Sequence, residues 1–141
     1  MFPFLQLESS KFRMGFPLLI FIQTSNKIAG QIPSSISNLV ELERLDISRN
    51  LIPGTIPISL GQFVKLHWLD IFINSLTGKI PTSLLGIKIM RHASFRANRL
   101  CGEIPQDRPY NIFPASAYAR NLCLCGKPMP PCKGKKQETS R

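Results

Sequence analysis

The sequence has no long apolar run. No stretch approaches the roughly 20 residues that a helix needs to cross a bilayer, so we expect no membrane span. The nearest candidate is MGFPLLIFI, where the preceding Lys11 and Arg13 supply the charged part of a secretory signal. Pro17 interrupts the run, and the following QTSN offers no small-residue cleavage site. For residues 1–25, a signal and a degenerate repeat therefore both stay open.

Acidic residues are scarce as well. The 141 residues include 8 Asp and Glu against 18 Lys and Arg, a formal net charge of +10. Part of the positive excess lies in residues 127–141, which contain five basic residues and only one acidic residue, Glu138. Such a balance fits either an anionic partner or a soluble basic surface. We interpret residues 133–141 as a basic disordered tail.

The groups that catalysis and metal binding need are also missing. No Gly-rich phosphate loop of the P-loop or dinucleotide type occurs. The C-x-C and C-x6-C spacings of the cysteines after Cys101 do not match familiar zinc sites, and no His is near them in sequence. We expect a protein that is not an enzyme and that has no cofactor and no metal.

What the sequence does contain is a phrase that returns every 24 residues: NKIAGQIP at 26, NLIPGTIP at 50, NSLTGKIP at 74 and NRLCGEIP at 98. A fixed period of this length is typical of a stacked solenoid. The other aligned columns are apolar: Ile36, Leu60 and Leu84; Leu39, Phe63 and Ile87; Leu42, Leu66 and Met90; Leu45, Leu69 and Ala93; and Ile47, Ile71 and Phe95.

Each column has a physical reason to recur. One coil cannot bury its own apolar face, so stacked coils about 4.8 Å apart must form the core from identical residue types. The Asn of each phrase (Asn26, Asn50, Asn74, Asn98) can satisfy buried backbone groups at a bend. The Gly column permits a conformation closed to other residues, and the Pro column fixes a turn without donating a hydrogen bond.

These columns carry a resemblance to a known family. Residues 18–105 resemble the plant extracellular type of leucine-rich repeat, LxxLxxLxLxxNxLxGxIPxxLxx, and the G-x-I-P portion is specific to that subclass. The resemblance implies an α/β solenoid: a right-handed coil with a parallel concave sheet, about four 24-residue repeats and a disulfide C-terminal cap. The expected division is an atypical segment at 1–17, repeats at 18–105, a cap at 106–132 and the tail.

The two ends of the stack differ. Arg108 breaks the aliphatic column, and Asn121 to Cys132 resembles the family's N-x-x-LCG-x-P-L-x-x-C cap with Met129 in place of Leu. Four cysteines allow three pairings; we favour Cys125–Cys132 inside the cap, as the resemblance implies, and Cys101–Cys123 between the cap and the last coil. Such bonds indicate an oxidising compartment.

At the N-terminal end, Gln23 stands in the column of Ile47, so the first coil is degenerate. The Trp-containing, Cys-containing cap typical of the family is not seen, and we expect an apolar patch of Leu18, Phe21, Ile28 and Ile32 to be poorly covered. A fragment of a longer leucine-rich repeat protein stays open as an interpretation.

Function is expected on the outward positions of the strands. His67 and His92 are one residue out of period, so we predict structural or surface roles for them. Asp46 and Asp70 share a column about 5 Å apart, but we expect an open sheet to supply no pocket that desolvates them. We predict a polar contact surface with large apolar groups, made of Arg44, Asp46, Arg49, Trp68, Asp70, Phe72, Ile73, His92, Ser94 and Arg96.

The resemblance implies a noncatalytic module that recognises a protein or peptide on the concave face, in cell-surface defence or signalling. Relatives include polygalacturonase-inhibiting proteins, receptor ectodomains and small secreted proteins, so the implied partners are a receptor kinase or a pathogen protein, and the implied location is the cell wall or apoplast. An alternative is polyanion binding to wall pectin through Lys88, Arg91, Arg96, Arg99 and the tail. Nucleic acid is disfavoured because no aromatic residues interleave for base stacking.

Overall fold

Nine short strands form three parallel sheets in the computed structural model, which describes residues 5–6, 19–24 and 28–134. The strands are β1 (Leu5–Gln6), β2 (Ile20–Ile22), β3 (Ile28–Ala29), β4 (Arg44–Asp46), β5 (Trp68–Asp70), β6 (Thr77–Gly78), β7 (His92–Ser94), β8 (Arg99–Glu103) and β9 (Cys123–Cys125). The main sheet, in the order β2–β4–β5–β7, takes one strand from each coil. Its register pairs Arg44 with Trp68 and Trp68 with His92, so the period predicted from the sequence sets the register.

The opposite side of each coil carries a short 3-10 helix. The three helices are Ser34–Asn38, Ile58–Gln62 and Thr82–Gly86, and each directly follows a proline of the Pro column in an extended conformation. The proline carbonyl accepts the first helical hydrogen bond, as at Pro57 from the Leu60 N–H at 3.1 Å. The leucine-rich repeat fold implied by the resemblance is therefore confirmed, with 3-10 turns facing the main sheet across the core.

Stacked columns form that core. Every apolar column predicted from the period has a relative exposure of 5% or less, from Ile28 at the first coil to Ile104 at the last. Burying one such side chain stabilises the fold by about 1.5–3 kcal/mol, so the core grows with each coil. Gly54 and Gly78 have φ of +84° and +82°, and a Cβ at Gly54 would lie 2.7 Å from Gln31, which accounts for the Gly column.

The asparagine column satisfies the backbone inside the bends. The side-chain oxygen of Asn98 accepts a hydrogen bond from the Leu76 N–H at 3.0 Å. The side-chain NH₂ of Asn98 donates to the backbone carbonyls of Ile71 and Phe95 at 3.0 and 3.2 Å. Asn74 and Asn50 repeat the pattern one and two coils earlier; Asn26 lies outside the described residues. Asn121 repeats it in the cap, one residue short of the period, a continuation that the sequence analysis did not predict.

Two tyrosines close the C-terminal end of the core. Tyr110 and Tyr118 are fully buried. The Tyr110 hydroxyl donates to the Leu84 carbonyl at 2.8 Å, and the Tyr118 hydroxyl donates to the Tyr110 carbonyl at 2.7 Å. Burial raises the pKa of both phenols. The cap thus ends the apolar stack with rings whose polar ends are hydrogen-bonded.

Both disulfides lie at this end. Cys101 is bonded to Cys123 and Cys125 to Cys132, the pairs that we favoured from the sequence. The first bond joins β8 to β9, where Cys101 and Cys123 are also register partners. Arg108 is exposed, as expected of a residue where the apolar column fails.

The N-terminal coil is better covered than expected. Ile28 and Ile32 have exposures of only 1% and 5%, and Phe21 is partly buried against the core, so the prediction of a poorly covered patch is wrong for these residues. β1 contributes to this end because Leu5 pairs with Ile28 in a parallel bridge. Leu18 and residues 135–141 of the predicted tail at 133–141 lie outside the described residues, and the predicted domain boundaries stay predictions.

Candidate functional site

The predicted contact residues lie in rows that run across the main sheet. The first row is Ile20, Arg44, Trp68 and His92, and the second row is Ile22, Asp46, Asp70 and Ser94; both are register partners on neighbouring strands. Since strand residues two apart point to the same face, both rows share the outward face. The structure therefore brings the predicted strand residues together on one surface.

The first row is a continuous stack. The Trp68 and His92 rings lie 3.9 Å apart at an interplanar angle of 20°, and the Arg44 guanidinium carbon lies 4.6 Å from the centre of the Trp68 ring. Arg44 and His92 belong to the strands on either side of β5, so they pack on opposite faces of the indole. Trp68 therefore presents its edge to solvent, and its ring faces are already occupied.

The second row contains the two carboxylates. Asp46 accepts hydrogen bonds from the Ser48 N–H and hydroxyl at 3.1 and 2.7 Å. Asp70 instead pairs with His92, whose Nε2 lies 3.3 Å from Oδ2. Asp70 is only 9% exposed. The prediction that an open sheet supplies no pocket to desolvate the two aspartates is therefore wrong for Asp70.

Burial has an electrostatic consequence at Asp70. Desolvation raises the pKa of its carboxyl, the negative charge of Asp46 raises it further, and His92 and Arg44 oppose the shift. The net direction is upward, so proton uptake at Asp70 begins at a higher pH than in the unfolded chain.

The remaining predicted residues lie beyond the strands. Phe72 and Arg96 follow β5 and β7, and the Arg49 guanidinium carbon lies 5.4 Å from the Phe72 ring centre. Arg49 and Ile73 have φ of 59° and 58°, so the prediction that they are strand residues is wrong. The bend before each Asn of the repeat places a residue at positive φ, and the repeat pattern does not show this because no Gly marks the position.

A pocket joins this surface to the cap. It has a volume of about 300 Å³ and is lined by Asp70, Phe72, His92, Ser94 and Arg96 together with Phe113 and Ser116. Phe113 and Ser116 were not predicted, because the cap departs from the 24-residue period that aligned the other columns. A larger groove of about 750 Å³, lined by residues such as Ile58 and Lys79, contains none of the predicted contact residues.

Three polar atoms of the surface are buried without a hydrogen-bond partner. They are Arg44 Nε, Trp68 Nε1 and Asp70 Oδ1. A buried polar atom left unpaired costs about 1–3 kcal/mol, so such a group at a surface pocket calls for an explanation.

Other site chemistries were sought across residues 5–6, 19–24 and 28–134. There, no three His, Cys, Asp or Glu side chains come close enough together to hold a metal ion. Within the same ranges, no helix has the length and apolarity to pass through a membrane.

Comparison with known proteins was made on sequence and on structure. A family model described as Leucine Rich Repeat matches residues 41–63, and no curated protein matches the chain. A chain of the BIR3–SERK2 complex from Arabidopsis thaliana is 33% identical with a TM-score of 0.75, covering 80% of this chain and 60% of that chain. The BIR2 ectodomain from Arabidopsis thaliana is 30% identical with a TM-score of 0.74, covering 77% and 57%.

The chain is a leucine-rich repeat protein of the plant extracellular type. Another similar structure is the plant peptide hormone receptor RGFR1 in complex with RGF2, at 32% identity and a TM-score of 0.61, with 62% of this chain and 14% of that chain covered. This leucine-rich repeat protein thus spans about 60% of the length of the first of these structures.

Proposed function

We propose that this leucine-rich repeat protein is a noncatalytic recognition module that binds a protein or a peptide on the outward face of its main sheet. The observation that carries the proposal is the composition of that face. Arg44, Trp68 and His92 form one stacked row, and buried polar atoms in it and beside it have no hydrogen-bond partner among the described residues. Aromatic and arginine side chains are enriched at the centres of binding interfaces.

The similar structures support this class of function. One is a complex of two proteins, BIR3 and SERK2, and another holds a receptor with a peptide hormone, RGFR1 with RGF2. We infer that a receptor-kinase ectodomain or a secreted peptide is the partner here, in defence or signalling at the cell surface. The two disulfides fit an extracellular location.

Phe72 is the residue with which to test the proposal. Arg49 packs on its ring, and the side chain also lines the pocket, so it can contact a partner without being needed for the core. Screening the purified chain against the SERK2 ectodomain and a random-peptide display library yields binders, whose affinity is then measured by biolayer interferometry. We expect Phe72→Ala to raise Kd at least about fivefold, the effect of about 1 kcal/mol.

Ile58→Ala is the matched control. Ile58 is an apolar residue with 74% exposure on a 3-10 helix, on the other side of the coil from the main sheet. We expect its Kd to match that of the unmodified chain. The proposal would be contradicted by binders whose Kd is unchanged by Phe72→Ala, or whose Kd rises as much with Ile58→Ala as with Phe72→Ala. Trp68→Ala should also weaken binding, since it releases both Arg44 and His92 from the stack.

A second candidate function is polyanion binding. Lys88, Arg91, Arg96 and Arg99 are all exposed, and neither of the two ion pairs in the described part of the chain includes any of them. Binding of polygalacturonate through these residues predicts a steep loss of affinity with added salt. A salt response that is nearly flat would rule this candidate out.

A further inference from the structure

We propose that Asp70 anchors a subsite for an uncharged hydroxyl group, supplied by a Ser or Thr side chain of a bound peptide. The inference rests on the proposed function and narrows its ligand. The subsite is the pocket described above, with Asp70, Phe72 and His92 on the main sheet and Phe113 from the cap.

The hydrogen bonds of the carboxyl are incomplete. The Asp70 side chain is only 12% exposed, yet among the described residues Oδ1 has no hydrogen-bond partner and Oδ2 has only His92, at 3.3 Å. A nitrogen–oxygen hydrogen bond is usually 2.9–3.0 Å long, so the His92 contact is a weak one. Ser94, the register partner of Asp70, forms no hydrogen bond with it in the described structure. Asp46 in the same row, by contrast, is bonded to Ser48.

The surroundings select against a charged ligand. Arg91 and Arg96 line the pocket, and Arg44 lies one strand away, so a Lys or Arg side chain of a peptide meets like charges. A carboxylate would be attracted by the arginines but would then face Asp70 itself, which lacks a donor rather than an acceptor. A hydroxyl donates one hydrogen bond without adding charge, which is what Oδ1 lacks.

Asp70 Oδ1 is buried in this structure, so access to it requires a side chain at the pocket to move. The His92 side chain is 37% exposed, and Arg96 is exposed, so neither is packed on all sides. Rotation of His92 gives up its 3.3 Å hydrogen bond to Oδ2 and its ring stack on Trp68, and it opens the carboxylate to the pocket. The pocket volume of about 300 Å³ is in the range that holds a side chain and its flanking backbone.

The test uses two probes of equal shape, N-acetyl-threonine methylamide and N-acetyl-valine methylamide, titrated into the full chain. The chain has a single tryptophan, so its one indole N–H resonance in NMR reports on Trp68, whose ring stacks on His92. We expect the threonine probe to bind about tenfold more tightly than the valine probe, because hydrogen bonds to a charged group are strong. Asp70→Ala should abolish that preference, and Asp70→Asn, which keeps the shape, should reduce it.

Asp107→Ala is the control, since it removes an exposed carboxylate of the cap and should leave the preference intact. Equal binding of the two probes, survival of the preference in Asp70→Ala, or tighter binding of N-acetyl-lysine methylamide or acetate would each overturn the inference. The titration measures probe binding at the pocket directly. The expected preference for threonine can therefore be absent while Phe72→Ala still weakens partner binding. In that case the subsite is wrong and the recognition function stands.

Discussion

The inward asparagines and the outward aspartates lie in the same coils but differ in how fully the chain satisfies their hydrogen bonds. Asn50, Asn74 and Asn98 repeat the same residue and bond the same backbone groups in every coil. In the outward rows the residue type differs between most neighbouring coils, and even the pair Asp46 and Asp70 differs in its hydrogen bonds, since one Asp70 oxygen has no partner among the described residues.

The difference separates what builds the solenoid from what the solenoid presents. A residue that stacks on its own kind is fixed by the geometry of the coil, because any change leaves buried backbone groups unpaired. A position that varies from coil to coil and holds unsatisfied polar atoms is not accounted for by folding. The following predictions test whether the two sets of residues respond to mutation as this distinction requires.

Asn98→Ala should produce the largest loss of stability. The change leaves the Leu76 N–H unpaired inside the bend and removes one of the two side-chain donors from the carbonyls of Ile71 and Phe95. Those carbonyls keep the amides of Asn74 and Asn121. One unpaired buried N–H costs about 1–3 kcal/mol, and each of the two lost hydrogen bonds contributes about 0.5–1.5 kcal/mol, so we expect a loss of about 3 kcal/mol in the free energy of unfolding. Urea denaturation followed by circular dichroism measures it.

The control for this change is Asn38→Ala, which removes an exposed asparagine from the end of a 3-10 helix. We expect it to alter the free energy of unfolding by less than about 0.5 kcal/mol. If Asn98→Ala cost no more than Asn38→Ala, the inward row would not be the element that holds the bends together.

Tyr118→Phe should have a smaller effect on the same inward side. It removes the hydroxyl that donates to the Tyr110 carbonyl at 2.7 Å and keeps the ring that stacks on Phe95 at 5.5 Å. We expect a loss of about 1–2 kcal/mol, one buried hydrogen bond, measured by the same urea denaturation. A stability equal to that of the unmodified chain would mean that the cap is held by apolar packing and the disulfides alone.

The 24-residue period was enough to predict the register, the buried columns and the row of contact residues, because stacking places equal positions side by side. It could not predict the left-handed bends at Arg49 and Ile73, because no Gly marks those positions in the repeat. It also missed the pocket wall at Phe113, because the cap breaks the period. Burial of Asp70 depends on the size of neighbouring side chains such as Phe72, which a column alignment does not measure.

Asp70→Asn should have the smallest effect and the opposite sign. The substitution removes a buried charge, so we expect the free energy of unfolding at neutral pH to rise by about 0.5–1 kcal/mol. The folded-state pKa of Asp70 is raised by burial above its ordinary value. Between an unfolded value of about 4 and the raised folded value, the folded chain binds the proton more tightly. The stability of the unmodified chain therefore increases as pH falls through that window.

The advantage of Asp70→Asn over the unmodified chain should accordingly shrink as pH is lowered from 7 towards about 4, which urea denaturation at a series of pH values can follow. Asp107→Asn, at an exposed carboxylate of the cap, controls for the change in net charge. A destabilised Asp70→Asn at neutral pH would show that its bond to His92 outweighs the unpaired oxygen. The outward row would then resemble the inward one in being satisfied within the chain, and its claim to bind a partner would lose its physical basis.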